Sequence, residues 1–256
     1  MNLLVIDTET AGLKTQTLLD IGYRIIDLAP DYTFKTLCAR SYLRRDVYTN
    51  RLFLVNDSVG GEEKLFKYDR LVNNGDIILR SLPQMLTMLT NDIARYQPTA
   101  GYAYNCTFDL DKIARAACEA SLPDPLLDLP VYDLWGYAYN FICTSPDYIA
   151  WAKSTGQTTK TERYLSTSVE AVTRYLTGNI DFSEEHTALD DTKWEAQILA
   201  ECARLGADIF NPAPKHGFLP SDKIFTKRIR IASTGEEVEF QYTKVRTDRN
   251  GTEIYS

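Results

Sequence analysis

Asp7 and Glu9 stand two residues apart in Asp7-Thr8-Glu9-Thr10, directly after the apolar run Leu3-Leu4-Val5-Ile6. Alternate side chains of an extended chain share a face, so both carboxylates would converge on one point at the end of a buried strand. A carboxylate taken out of water needs a cation or hydrogen-bond donors to compensate it. Hard anionic oxygens gathered on one side suit Mg²⁺ or Mn²⁺. Taken alone, the pair equally describes a strand end that turns into a solvated loop. Three further residues could join it. Asp109 closes Asn105-Cys106-Thr107-Phe108-Asp109 at the entry to a helix, where the helix dipole by itself favours an acid. His186 precedes a helix that begins near Ala188, and Asp191 lies in the first turns of that helix. A lone histidine there equally describes a surface or capping residue.

The elements that must position these groups can be read from periodicity. The Leu3–Ile6 run predicts the first strand, residues 18–28 a second, and residues 33–42 a third, antiparallel to the second. Residues 44–75 lack clear periodicity and hold Gly60-Gly61 and Asn73-Asn74-Gly75, the pattern of a variable insertion or flexible loop. Leu82, Met85, Leu86, Leu89 and Ile93 share one helix face, with Ser81 as N-cap. Residues 99–104 return as a strand, and residues 109–120 as a helix. This alternation of strands and helices indicates an α/β layer fold. Residues 127–141 read as a strand running into a helix around Trp135, and residues 153–163 as a mobile surface loop. Ser168 caps a helix that Gly178 ends, and the last strong helix covers residues 187–205. Pro212, Pro214 and Pro220 then break regularity, and residues 223–232 and 238–245 alternate as a β-hairpin. The chain therefore divides into a domain over residues 1–210 and a C-terminal β extension over residues 211–256. From Asn211 onward eight Lys or Arg face six Asp or Glu, so this tail is locally positive.

At 256 residues the chain is long enough to bury a large core, and its 44% hydrophobic and 25% charged residues are ordinary for a globular protein. No apolar run reaches the length of a membrane span, and no secretory signal is visible. Cys38, Cys106, Cys118, Cys143 and Cys202 are scattered and odd in number, which favours reduced thiols and a cytoplasmic location over a disulfide framework. A net charge of −7 does not announce a nucleic-acid binder. It is compatible with one whose site holds divalent cations.

Together the three motifs resemble the DEDDh 3'-5' exonucleases, the family of polymerase proofreading subunits and oligoribonuclease. The family pattern D-x-E-T-x-G-L stands here as Asp7-Thr8-Glu9-Thr10-Ala11-Gly12-Leu13, N-x-x-F-D as Asn105 to Asp109, and H-x-A-L-x-D as His186 to Asp191. The resemblance covers about the first 210 residues. Of the adjacent acids, Asp191 rather than Asp190 stands at the family's offset from the histidine. Tyr104 departs from the pattern, since relatives often carry a histidine before the asparagine.

The resemblance implies a ribonuclease H-like mixed β-sheet flanked by helices and two divalent ions, Mg²⁺ or Mn²⁺. Asp7 would bridge both, Glu9 and Asp191 would complete the site for the nucleophile, and Asp109 would hold the second ion. His186 would serve as general base, since an imidazole titrates near neutral pH. Thr8, Thr10, Leu13 and Asn105 are implied to meet the substrate's 3' end, with Leu13 against the last base. Phe108 would stack on a base or else anchor the core. The 153–163 loop and Lys227, Arg228 and Arg230 are candidate phosphate contacts, or solvated charge. The implied activity is hydrolysis of single-stranded nucleic acid from the 3' end to nucleoside 5'-monophosphates. DNA is favoured over RNA, although no motif reports the 2'-OH. The alternative is a strand-binding or polymerase-associated scaffold. Expected partners are single-stranded DNA or RNA 3' ends, a polymerase or other replication or repair protein, and no membrane.

Overall fold

The computed structural model describes residues 1–12, 14–57, 61–221, 225–230, 237–242, 245–247 and 253–255. The chain opens with β1 (Asn2–Ala11), β2 (Thr17–Leu28) and β3 (Phe34–Arg44). Three helices follow, α1 (Arg45–Thr49), α2 (Arg51–Asp57) and α3 (Gly61–Asn74), then β4 (Ile78–Arg80) and α4 (Leu82–Tyr96). Next come β5 (Ala100–Ala103), α5 (Cys106–Ala120), β6 (Val131–Asp133), α6 (Leu134–Ala138) and a π-helical turn over Tyr139–Cys143. The helices α7 (Pro146–Ser154), α8 (Val169–Thr177) and α9 (Ala188–Arg204) complete the main body.

Six strands form one mixed sheet in the order β4-β3-β2-β1-β5-β6. The pairs β1–β2 and β2–β3 are antiparallel, whereas β1–β5, β5–β6 and β3–β4 are parallel. Helices flank this sheet, as the alternation of strands and helices in the sequence predicts. β1 is covered on both faces, which is why its apolar run is continuous rather than alternating. Leu3 and Val5 pack with Tyr148, Val172, Ile198 and Leu199 on the α8–α9 side. Leu4 and Ile6 pack with Met85, Leu89 and Ile113 on the α4–α5 side. The same alternation carries on past Ile6, so Asp7 and Glu9 belong to the α9 face and Thr8 to the α5 face.

Gly22 on β2 lies opposite Asp7 in the sheet register. A Cβ at Gly22 would stand 2.1 Å from the backbone of both Ala188 and Leu189, so the first turn of α9 rests directly on the strand. Asp20 pins the same turn. Its Oδ2 accepts the Ala188 N–H at 3.2 Å and the Tyr68 hydroxyl at 3.1 Å, and its Oδ1 accepts the Ser41 hydroxyl at 3.2 Å. Gly22→Ala is expected to push α9 off the sheet and cost about 3 kcal/mol, as overpacking against unyielding backbone does. A urea melt reads this directly, and an unchanged midpoint would contradict the close approach.

Residues 44–75 differ from the sequence reading, since α1, α2 and α3 form there and close a third apolar cluster. Leu19, Leu43, Val47, Tyr48, Leu54 and Tyr68 meet in it. α7 was also not foreseen. Ser145 caps it by accepting the Tyr148 N–H at 3.2 Å, and Pro146 opens its first turn, so the loop anticipated at 153 starts after Ser154.

Beyond α9 the chain returns to the sheet. The Ile209 and Phe210 carbonyls accept the Tyr102 and Tyr132 hydroxyls at 2.7 and 2.8 Å, and Leu165 N–H donates to Leu219 O at 2.8 Å. The tail holds two antiparallel pairs, β7 (Phe225–Arg230) with β8 (Glu237–Tyr242), and β9 (Val245–Thr247) with β10 (Glu253–Tyr255). The link between the two hairpin strands, residues 231–236, and the side chains of Lys227, Arg228 and Arg230 lie outside what is described.

Candidate metal centre

Strand alternation brings Asp7 and Glu9 under the N-terminal turns of α9, and there Asp191 joins them. Each offers a carboxylate oxygen, and the three oxygens lie within 4.8 Å of one another. Asp109 approaches from α5 on the other face. It is 2% exposed and accepts the Thr8 hydroxyl at 2.6 Å. Thr8 is thus turned away from α9 and holds the Asp109 carboxylate.

These acids crowd one another in a dry place. Burial, reinforced by Glu195, Asp109, Asp191 and Glu9, raises the Asp7 carboxyl well above the usual range. Burial pushes Asp191 up to about 8, with repulsion from Glu184 and Glu9 added. Burial likewise lifts Asp109 to about 7 although Thr8 donates to it. Two buried carboxylate oxygens, Asp191 Oδ1 and Glu195 Oε2, have no hydrogen-bond partner among the described residues. A set of oxygen donors with unpartnered lone pairs fits a hard divalent cation such as Mg²⁺ or Mn²⁺.

The other sequence candidates are placed as follows. His186 is exposed, its backbone is left-handed at φ 49°, and its ring meets Glu170 and Glu184 with ligand atoms within 4.8 Å of one another. It is therefore grouped with those two acids rather than with Asp7, Glu9 and Asp191. Asn105 is left-handed at φ 64°, caps α5 and donates its backbone N–H to Asp133 Oδ1 at 2.9 Å. Phe108 lies under the Lys112 ammonium, 4.9 Å from the ring centre. Thr10 presents its carbonyl to Lys64 at 3.0 Å. Leu13 lies outside the described residues.

A cavity of about 410 Å³ adjoins the acids, lined by Asp7, Asn105, Trp135, Glu184, Asp191 and Glu195 among others. A cleft of about 490 Å³ between α4 and residues 122–129 is larger, but Asp124 and Asp128 are its sole ionisable lining groups. Beside the smaller cavity Trp135 is fixed rather than free. His216 stacks on it with ring centres 3.5 Å apart, and its Nε1–H donates to Thr167 Oγ1 at 3.0 Å.

Three groups at the centre were not singled out from sequence. Glu195 follows Asp191 by one helical turn and so shares its face. Lys64 and Lys67 come from α3. Lys64 Nζ meets Glu9 Oε2 at 2.6 Å, and Lys67 donates to the carbonyls of Glu185 and His186. The Lys64 ammonium occupies one side of Glu9 that a cation would also use. A pair of this kind contributes about 1 kcal/mol. Lys64→Met is accordingly expected to tighten Mn²⁺ binding roughly fivefold in calorimetry, and weaker binding would show that Lys64 supports rather than opposes the cation.

No protein-family model matches the chain, and no curated protein matches it. Among solved structures, a 3'-exonuclease that recognises the histone mRNA stem-loop is 12% identical with a TM-score of 0.49, over 93% of this chain and 70% of that one. Exonuclease I of E. coli, in its zinc-bound complex with single-stranded DNA, is 14% identical with a TM-score of 0.48, over 80% of this chain and 40% of that one. RuvC of Thermus thermophilus is 14% identical with a TM-score of 0.33, over 81% of this chain and 98% of that one. The chain thus spans less than half the length of exonuclease I.

Proposed function

We propose that the chain is a metal-dependent 3'-5' exonuclease that hydrolyses single-stranded nucleic acid to nucleoside 5'-monophosphates. The observation that carries this reading is the convergence of Asp7, Glu9 and Asp191 within 4.8 Å beside a cavity, with buried acids left uncompensated. Four mutually repelling carboxylates, Asp109 included, are worth keeping together only where cations arrive. Asp7, Glu9 and Asp191 would hold one Mg²⁺ or Mn²⁺, and Asp7 with Asp109 a second. When bound, such a pair neutralises charge on the attacking and leaving oxygens of an in-line displacement at phosphorus.

The chain's own groups do the rest. His186 takes the proton of the attacking water, with Glu170 and Glu184 close enough to orient its ring. Thr8 fixes the Asp109 carboxylate through its hydroxyl. Asn105 lines a cavity of a size to take one terminal nucleotide. Lys67, beside His186, adds positive charge where a phosphate would lie. DNA is the favoured substrate.

With Mn²⁺ and 5'-labelled single strands of matched DNA and RNA, the protein should give a descending ladder, faster on DNA. EDTA should stop it. Internal cleavage, or no cleavage of either strand, would overturn the proposal.

A further inference from the structure

Glu195 is an acid at this centre that the three motifs leave unused. It is 2% exposed, inside α9. Its Oε1 accepts the Tyr104 backbone N–H at 3.3 Å, which fixes the carboxylate plane. Its Oε2 is buried with no partner among the described residues, and Glu195 lines the same cavity as Asp7 and Asp191. A glutamate with so little exposure normally pairs with a cation or satisfies both oxygens. Here one oxygen is satisfied and the other is not, in a residue that lines the cavity with Asp7 and Asp191.

Its neighbours say which part of the centre it serves. Of the charged groups acting on Asp7, Glu195 acts most strongly, and of those acting on Glu195, Asp109 does. The bond from Tyr104, which lies between β5 and α5, brings Glu195 to the end of the sheet from which α5 carries Asp109. The Asp7–Asp109 side has the fewer carboxylates of its own, two against the three that converge around Asp191.

We propose that Glu195 supplies its free Oε2 to a second divalent cation held between Asp7 and Asp109, as a fifth acid of the centre. This rests on the reading of the acids as a cation site. One turn of helix separates it from Asp191, so α9 would feed both cation positions from a single face. The backbone bond from Tyr104 leaves the chain no freedom to turn that oxygen elsewhere without losing the bond.

The test counts Mn²⁺ bound to the full chain, by calorimetry and by the electron paramagnetic resonance signal of free Mn²⁺, for wild type, Glu195→Gln and Asp7→Asn. Wild type should bind two ions. Glu195→Gln keeps the Tyr104 contact and should retain the first ion while losing at least tenfold in affinity for the second, and Asp7→Asn should weaken both. Melting in EDTA controls for folding, and Glu195→Gln should melt no lower than wild type because it removes a buried repulsive charge. Two ions bound with unchanged affinities by Glu195→Gln would overturn the assignment of Glu195 while leaving the cation site standing. A wild type that binds no ion would overturn both. Glu195→Asp, which keeps the charge but withdraws it by one methylene, should fall between wild type and Glu195→Gln, and equality of all three would count against the proposal.

Discussion

Asp7→Asn is expected to lower the rate of phosphodiester hydrolysis by roughly 10³-fold or more while leaving the protein folded. Asp7 lies within β1 in the middle of the sheet, opposite Gly22, and it borders both proposed cation positions. Asparagine keeps the shape and removes the charge. Since Asp7 is repelled by Glu195, Asp109, Asp191 and Glu9, losing that charge relieves the metal-free protein rather than straining it. Activity and stability should therefore move in opposite directions. A variant that loses activity only because it unfolds would show a lower melting temperature in EDTA, and that result would remove Asp7 from the chemistry.

The second large effect is on stability. In EDTA the melting temperature should fall as pH rises from about 5 to 8, and Mn²⁺ should restore it. Burial lifts Asp109, Glu184 and Asp20 to about 7 and Asp191 to about 8. In the unfolded chain such acids titrate near about 4. Below about pH 4 both states keep these protons, so the groups do not oppose folding. Between about pH 4 and 8 the folded state holds protons that the unfolded state has released, so stability declines with rising pH and levels off above the folded pKa values. A cation at the centre replaces the protons of Asp109 and Asp191. One site filled at a hundredfold excess over its dissociation constant contributes about 2.7 kcal/mol, or roughly 5–10 °C for a chain of this size. A melting temperature that rises with pH in EDTA, or that ignores Mn²⁺ at pH 8, would contradict the buried acid cluster.

The run Leu3–Ile6 and the alternation after it place Asp7 and Glu9 on one face, because strand geometry is local and rigid. Leu82 to Ile93 and the Ser168 cap are legible for the same reason, since each helix carries its own face and start signal. α3 was obscured by Gly60-Gly61, although Leu65, Tyr68 and Val72 repeat at helical spacing and pack in the third cluster. Missing that helix meant missing Lys64, which folds back over 55 residues to Glu9, and Lys67, which reaches the Glu185 and His186 carbonyls. The grouping of His186 with Glu170 and Glu184 could not be read either. Residues 178–187 have no periodicity, and no local signal announces the left-handed backbone at His186. Glu195 did carry a signal, an acid one turn from Asp191, but surface pairs at that spacing are common and only burial distinguishes it.

On the proposed reading, β1 and α9 together hold a divalent cation through Asp7, Glu9 and Asp191. Anomalous diffraction from crystals grown with Mn²⁺ measures this directly. The expected result is a peak within about 2.5 Å of a carboxylate oxygen from each of the three residues, absent from crystals of Asp7→Asn. A map with no Mn²⁺ peak among these acids, or with the ion bound elsewhere while the Lys64–Glu9 pair stays closed, would contradict it.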